Sequence, residues 1–290
     1  MEEETTTTTS STIMAALSTL PPSTLSDLIH SVISATNHRT HRLALLLSSP
    51  ILFSITLHHL HTLSLHQKTL LIARHLLSFL HTLTRHTAMP PPLSTSMRQR
   101  DLDAVLLLLL FCETHNHNPE LLEASFSEWR VNLGRHFREK LLAGVSICGG
   151  FGLPSIGECK GTILIPYVET VVRCMRLVGS MGCCVGRGNN KDEVEVAAAV
   201  AAVVALPAVE MEVGGKECVI CKEEMRVGRD VCELPCQHLF HWMCILPWLG
   251  KRNTCPCCRL RLPSDDVFGE IQRLWDILVK MGGKEFSSGG

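Results

Sequence analysis

Residues 234–244 read LPCQHLFHWMC, which places Cys236, His238, His241 and Cys244 within nine positions of a 290-residue chain. Working outward, 14 residues separate Cys236 from the upstream pair Cys218-x2-Cys221, and ten separate Cys244 from the downstream pair Cys255-x2-Cys258. A structural zinc ion takes four tetrahedral ligands from thiolate and imidazole, and a Cys-x2-Cys turn presents two sulfurs to one ion. Eight such groups in four pairs suit two zinc ions. Four protein ligands per ion leave no position for water, so both metals are expected to be structural and not catalytic. A segment this short has too little apolar core to fold without staples. Each structural zinc supplies about 10–16 kcal/mol of apparent binding energy. Two cysteines are left over: Cys232 could pair with Cys236, and Cys257 competes with Cys258 as a ligand.

The surrounding composition fits this reading. Eight of the chain's 14 cysteines fall between Cys218 and Cys258. The N-terminus, MEEETTTTTSST, is acidic and polar, and the first basic residue is Arg39, unlike a secretory or transit peptide. The expected compartment is reducing, where clustered cysteines serve as metal ligands and not as disulfides. A formal charge of −1, an aromatic content of 5% and the lack of a basic stripe argue against nucleic acid as partner. No apolar run reaches the length of a membrane helix. Ala104–Cys112 (AVLLLLLFC) reads as a buried core helix. Val196–Val209 (VAAAVAAVVALPAV) carries Pro207, is flanked by glutamates and reads as a helical linker.

Five segments are expected. Residues 1–20 form a Thr/Ser-rich disordered head. Residues 21–180 form a mostly helical targeting or substrate domain. In it Leu25, Leu28, Ile29, Val32 and Ile33 recur at helical spacing, and Pro50 breaks the apolar run Leu43–Leu65. Gln67–Arg85 carries a stripe of Leu70, Ala73, Leu76, Leu77, Leu80 and Leu83, ending before Pro90-Pro91-Pro92. Asn118-Pro119-Glu120 reads as the cap of a helix running to Leu142, striped by Leu122, Phe126, Trp129, Leu133, Phe137 and Leu141. Ile163–Val178 is apolar and open to either strand or helix. Residues 181–214 read as a linker, 215–262 as the zinc domain, and 263–283 as a terminal helix capped at Ser264-Asp265-Asp266. That helix has two possible partners, the zinc domain or a second copy. His58, His59, His61 and His66 cluster on one short segment and read as a polar helix face in preference to a metal site.

The ligand order Cys-Cys-Cys-His-His-Cys-Cys-Cys over residues 215–262 resembles the RING-H2 family of E3 ubiquitin ligases. The resemblance implies a mainly α N-terminal domain followed by a small zinc-bound α+β RING-H2 domain with interleaved, cross-brace ligands. One zinc would take Cys218, Cys221, His241 and Cys244; the other would take Cys236, His238, Cys255 and Cys258. Cys258 is preferred to Cys257 because Cys255-Pro256-Cys257-Cys258-Arg259 is similar to the family's Cys-Pro-x-Cys-Arg. By the same resemblance Ile220, Trp248 and Pro256 form a shallow apolar groove for a ubiquitin-conjugating enzyme. Arg259 would hold the attached ubiquitin in a reactive pose. The implied reaction has no nucleophile on this chain: a substrate lysine attacks the thioester carried by the conjugating enzyme. The alternative is a zinc-stabilised interaction module without transfer activity. STIMAALSTL (11–20) and SSPILFSITLHHLHTLSLHQKTLLIARHLL (48–77) are similar to plant RING-H2 ligases of the amyloplast surface. That implies a place on the cytosolic side of the plastid and a part in gravity response.

Overall fold

Pro50 sets the first corner of the fold. Helix α2 (Pro22–Ser48) stops at Ser49, whose side chain accepts from the Leu52 N–H at 3.3 Å and caps α3 (Pro50–Thr62). Proline at the first helical position suits α3, because its missing N–H would have no intrahelical partner there. The two helices meet at 103°. Among the described residues no single helix is long and apolar enough to cross a membrane, although this bent pair meets the criterion jointly.

The computed structural model describes residues 2–86, 97–123, 125–148, 158–180, 196–211, 215–227 and 230–283. They fall into two units. The first runs to Leu76 and resumes from 97 to 180; the second holds residues from Leu77 to 86 and from 196 to 283. Helix α4 (Leu65–Thr84) therefore begins in one unit and ends in the other. Pro90-Pro91-Pro92, residues 149–157 of the glycine-rich stretch and residues 181–195 of the expected linker lie outside the described residues.

The first unit is all helical. Around α2 pack α3, α5 (Gln99–His117), α6 (Phe126–Cys148) and α7 (Glu158–Ser180). Its core includes Leu28, Val32, Leu46, Ile72, Leu76, Leu107, Leu133 and Val171, all at most 1% exposed. Ala104–Leu107 are buried, as the nine-residue apolar run predicts. Ile163–Val178, open to two readings in the sequence, is helical and buries Leu164, Tyr167, Val168, Val171 and Val172.

Three expectations are corrected here. Residues 1–20 are not a disordered head: Glu2–Ser18 form α1, which packs on α7. Ile13, Ala16 and Leu17, spaced i, i+3 and i+4, are buried to 2% exposure or less. Tertiary burial of one face outweighs the weak helix preference of the threonine run. The helix expected from Asn118 begins instead at Phe126, after a single tight 3-10 turn over Pro119–Leu122. Asn118 sits at φ −153° with no side-chain cap bond; the N–H groups of Glu128 and Trp129 bond the Ser125 carbonyl instead. Leu141, expected in the apolar stripe, is 40% exposed.

The second unit is α+β. Strands β1 (Ala208–Glu210), β2 (Asp230–Glu233) and β3 (Leu239–Phe240) form an antiparallel sheet in that order, with Cys232 opposite both Ala208 and Phe240. Helix α9 (Trp242–Leu249) packs on β2. Residues 196–211 are not a linker, because they build part of this unit. Besides β1 they form α8 (Val200–Val204), and Ala198 and Met211 join the core of Val231, Leu234, Phe240, Ile245 and Leu262. The Ala198 N–H bonds the Leu249 carbonyl, the Ala199 N–H the Pro263 carbonyl, and the Asn253 N–H the Val196 carbonyl. The final helix α10 (Val267–Gly282) opens on Asp266, whose carboxylate accepts from the Gly269 N–H at 2.6 Å. It buries Ile271, Leu274 and Leu278, together with a two-pronged Glu270–Arg273 ion pair.

Candidate metal centre

The eight expected ligands converge into two groups, and the groups are interleaved. Cys218, Cys221, His241 and Cys244 bring their ligand atoms within 4.8 Å of one another; so do Cys236, His238, Cys255 and Cys258. The stretch Cys236–Cys244 supplies two residues to each group. Among the described residues these are the only such clusters, so His58, His59, His61 and His66 do not assemble a metal site. His59 instead sits between Arg100 and Asp101 of α5.

Backbone geometry explains why the cysteine pairs point inward. The Cys218 carbonyl accepts from the Lys222 N–H and the Cys218 N–H donates to the Glu223 carbonyl. The second pair repeats this register: the Cys255 carbonyl accepts from Arg259, and the Cys255 N–H donates to Leu260. Isolated bridges Glu217–Glu224 and Thr254–Arg261 close both turns at the same offset. Lys222 and Arg259 adopt φ of 64° and 59°, as does Gln237 (φ 64°) between Cys236 and His238. A left-handed residue after the second sulfur costs about 1 kcal/mol for a non-glycine side chain. It reverses the chain so that both sulfurs face one point.

The donor set fits tetrahedral zinc. Zinc–sulfur and zinc–nitrogen bonds of about 2.3 and 2.0 Å place ligand atoms roughly 3.6 Å apart. Here His238 Nδ1 lies 3.2 Å from Cys236 Sγ, and His241 Nδ1 lies 3.3 Å from Cys221 Sγ and 4.0 Å from Cys244 Sγ. Burial, and then the neighbouring thiols, push Cys236 and Cys244 up to about 12. At Cys218 burial is outweighed by N–H groups of His241, Cys221 and Ile220, which bring the thiol down to about 7. A cluster of thiols that resist joint ionisation becomes a set of thiolates only around a cation.

Residues 216–259 match the Ring finger domain family. Over 276 residues the chain is 53% identical to the Arabidopsis thaliana protein named E3 ubiquitin-protein ligase SGR9, amyloplastic, spanning 92% of this chain and 95% of that one. The chain belongs to the RING-type E3 ubiquitin-protein ligases. Shorter matches join this ligase to E3 ubiquitin-protein ligase RDUF1 of the same plant, 33% identical over 41% of this chain and 30% of that one. E3 ubiquitin-protein ligase RNF181 of Danio rerio is 49% identical over 24% and 47%. No solved structure matches the ligase.

The remaining expected residues take distinct positions on the RING. Ile220 and Trp248 are half-buried and pack against its core, Pro256 is half-buried, and Arg259 is exposed. The Trp248 indole N–H donates to the Thr254 carbonyl at 2.8 Å, and the Arg252 guanidinium lies 5.3 Å from its ring. Cys232 is fully buried in β2, where burial pushes its thiol up to about 11. Cys257 is exposed and its N–H points at Cys255 Sγ. The sequence reading passed over Thr254, which anchors Trp248, and Lys222 and Gln237, whose positive φ shapes the turns. Nothing in their residue types signals these roles.

Proposed function

We propose that this RING ligase binds two structural zinc ions through the two clusters. Its Ile220, Trp248 and Pro256 dock a ubiquitin-conjugating enzyme, and ubiquitin passes directly to a substrate lysine. The observation that carries the reading is the pair of congruent cysteine turns. Ile220 lies inside one and Pro256 inside the other, and the Trp248–Thr254 bond fixes the aromatic ring against the second. Tryptophan is among the residues most enriched at interface hot spots. Arg259, exposed beside the last ligand, has a planar fork that can bridge carbonyl oxygens of the conjugating enzyme and ubiquitin.

In this reaction the lysine Nζ attacks the thioester carbonyl, the C–N bond forms and the C–S bond breaks. The conjugating enzyme's cysteine leaves as thiolate, and the amine loses a proton. The ligase contributes positioning of the thioester. The name of the Arabidopsis relative supports a place at the amyloplast; ubiquitin chemistry is cytosolic, which assigns the ligase to the outer, cytosolic side; and the wider resemblance supports a part in gravity response. The test is discharge of a preformed conjugating-enzyme–ubiquitin thioester onto free lysine. Acceleration by the wild type and none by Cys218→Ser is expected, with no reducible ubiquitin adduct on the ligase. Protein loaded with two zincs that accelerates discharge with no conjugating enzyme in a broad panel would overturn the reading.

A further inference from the structure

Helix α3 is apolar on two sides. Phe53, Thr56 and Leu60 are buried, whereas Ile51, Ile55 and Leu52 are 72%, 57% and 39% exposed. Ile51 and Ile55 stand one turn apart on the outward line of the helix. A helix with a buried face normally turns polar residues outward. Two isoleucines held in water on one turn break that rule. Leu65, just beyond the end of α3, is 67% exposed as well.

Residues 28–76, which form most of α2, all of α3 and the first part of α4, contain no Asp or Glu and carry Arg39, Arg42, Lys68 and Arg74. Arg98 and Arg100, both exposed, lie at the start of α5, which packs on α3; Arg100 Nη2 is 2.7 Å from His59 Nδ1. Asp101 at this border faces His59 at 3.6 Å. Arg98 and Arg100 stand at the start of the helix that borders the apolar face and do not form a stripe that would track a nucleic-acid backbone.

We propose that the outward face of α3 docks on an anionic lipid surface. Ile51 and Ile55 would enter the boundary between headgroups and acyl chains, and Arg98 and Arg100 would meet the headgroup phosphates. Helix α2 buries Leu28, Ile29, Val32, Leu46 and Leu47, so the exposed face of α3 is the part of this pair free to meet a bilayer. This supplies the attachment that the amyloplast-surface reading requires. Vesicle binding is scored without the organelle or ubiquitin, so either reading can fail alone.

The experiment is sedimentation of the zinc-loaded full chain with vesicles of phosphatidylcholine, with or without about 30% phosphatidylglycerol. The expected result is binding to the anionic vesicles that weakens with salt. Each isoleucine taken out of water strengthens binding on the order of tenfold, and each basic group about fivefold. Ile51→Ser with Ile55→Ser should therefore lower affinity by about a hundredfold, and Arg98→Gln with Arg100→Gln by about twenty-five-fold. Both variants should keep the helical circular dichroism and ubiquitination activity of the wild type. Wild-type protein left in the supernatant with both vesicle types would overturn the proposal. So would isoleucine variants that are folded and bind undiminished, which would leave α3 as a surface for a protein partner.

Discussion

Trp248 donates its indole N–H to the backbone carbonyl of Thr254 at 2.8 Å. Thr254 immediately precedes the first cysteine of the second zinc turn, so this bond ties α9 to that turn while the ring stays half-exposed. Trp248→Phe keeps an aromatic ring but gives up the bond and leaves the carbonyl without its partner, a loss of about 1 kcal/mol. We expect zinc content to hold and ubiquitin discharge to fall several-fold. Trp248→Ala removes the ring and should lower discharge by tenfold or more. Equal rates for all three proteins would show that the ring does not meet the conjugating enzyme.

Arg259 separates a backbone role from a side-chain role. Its φ of 59° suits glycine, so Arg259→Gly relieves about 1 kcal/mol of strain while deleting the guanidinium. The expected outcome is a RING at least as stable as wild type, holding two zincs, with discharge reduced by tenfold or more. Full activity in Arg259→Gly would assign the residue to the turn alone.

Interleaving makes the two metals interdependent. Cys236–Cys244 contributes to both clusters, so Cys255→Ser should loosen the stretch that also presents His241 and Cys244. Native mass spectrometry is expected to shift from two zincs mainly to none. A stable one-zinc species with a folded RING would show independent sites. Chelation should unfold the RING, since each zinc supplies about 10–16 kcal/mol, and leave the helices of the first unit intact by circular dichroism.

The terminal helix carries a buried charge pair. Glu270 and Arg273 expose 1% and 7% of their side chains and bond twice, at 2.6 and 2.8 Å. Glu270→Ala strands the guanidinium and should cost about 3–5 kcal/mol in chemical denaturation. Glu270→Leu with Arg273→Met removes both charges and should cost far less. A double variant as unstable as the single would mean that shape, and not charge, governs the site.

His75 sets an acid limit on the helical unit. It is 2% exposed, and burial first and the charge of Arg39 second push its pKa down to about 3. The unfolded chain protonates it near pH 6.5, so between these values the unfolded state binds the extra proton. Its stability contribution is whole above about 6.5 and is lost as pH falls toward 3. From pH 7 to 5 the loss from this residue is about 2 kcal/mol. Urea unfolding at both pH values should show a smaller loss for His75→Gln than for wild type. Equal losses would mean that His75 is already charged in the fold.

The zinc cluster was legible in the sequence because metal chemistry is local. Two thiols two residues apart can meet one ion whatever the rest of the chain does, so four ligand pairs stand out from spacing, while the choice of Cys258 over Cys257 and the interleaved partition rested on the family resemblance. Helix positions were legible where apolar spacing agrees with a proline, as at Pro50, or with an acidic cap, as in α10. What tertiary structure alone decided is where marginal segments go. The Thr-rich head became α1 because Ile13, Ala16 and Leu17 found a face on α7. The Ala/Val run became part of the second unit because its backbone N–H groups found the Leu249 and Pro263 carbonyls. Likewise Ile51 and Ile55, which belong to the apolar run broken at Pro50, stand in water, since burial depends on which neighbours a helix face meets, and no residue carries that in its own chemistry.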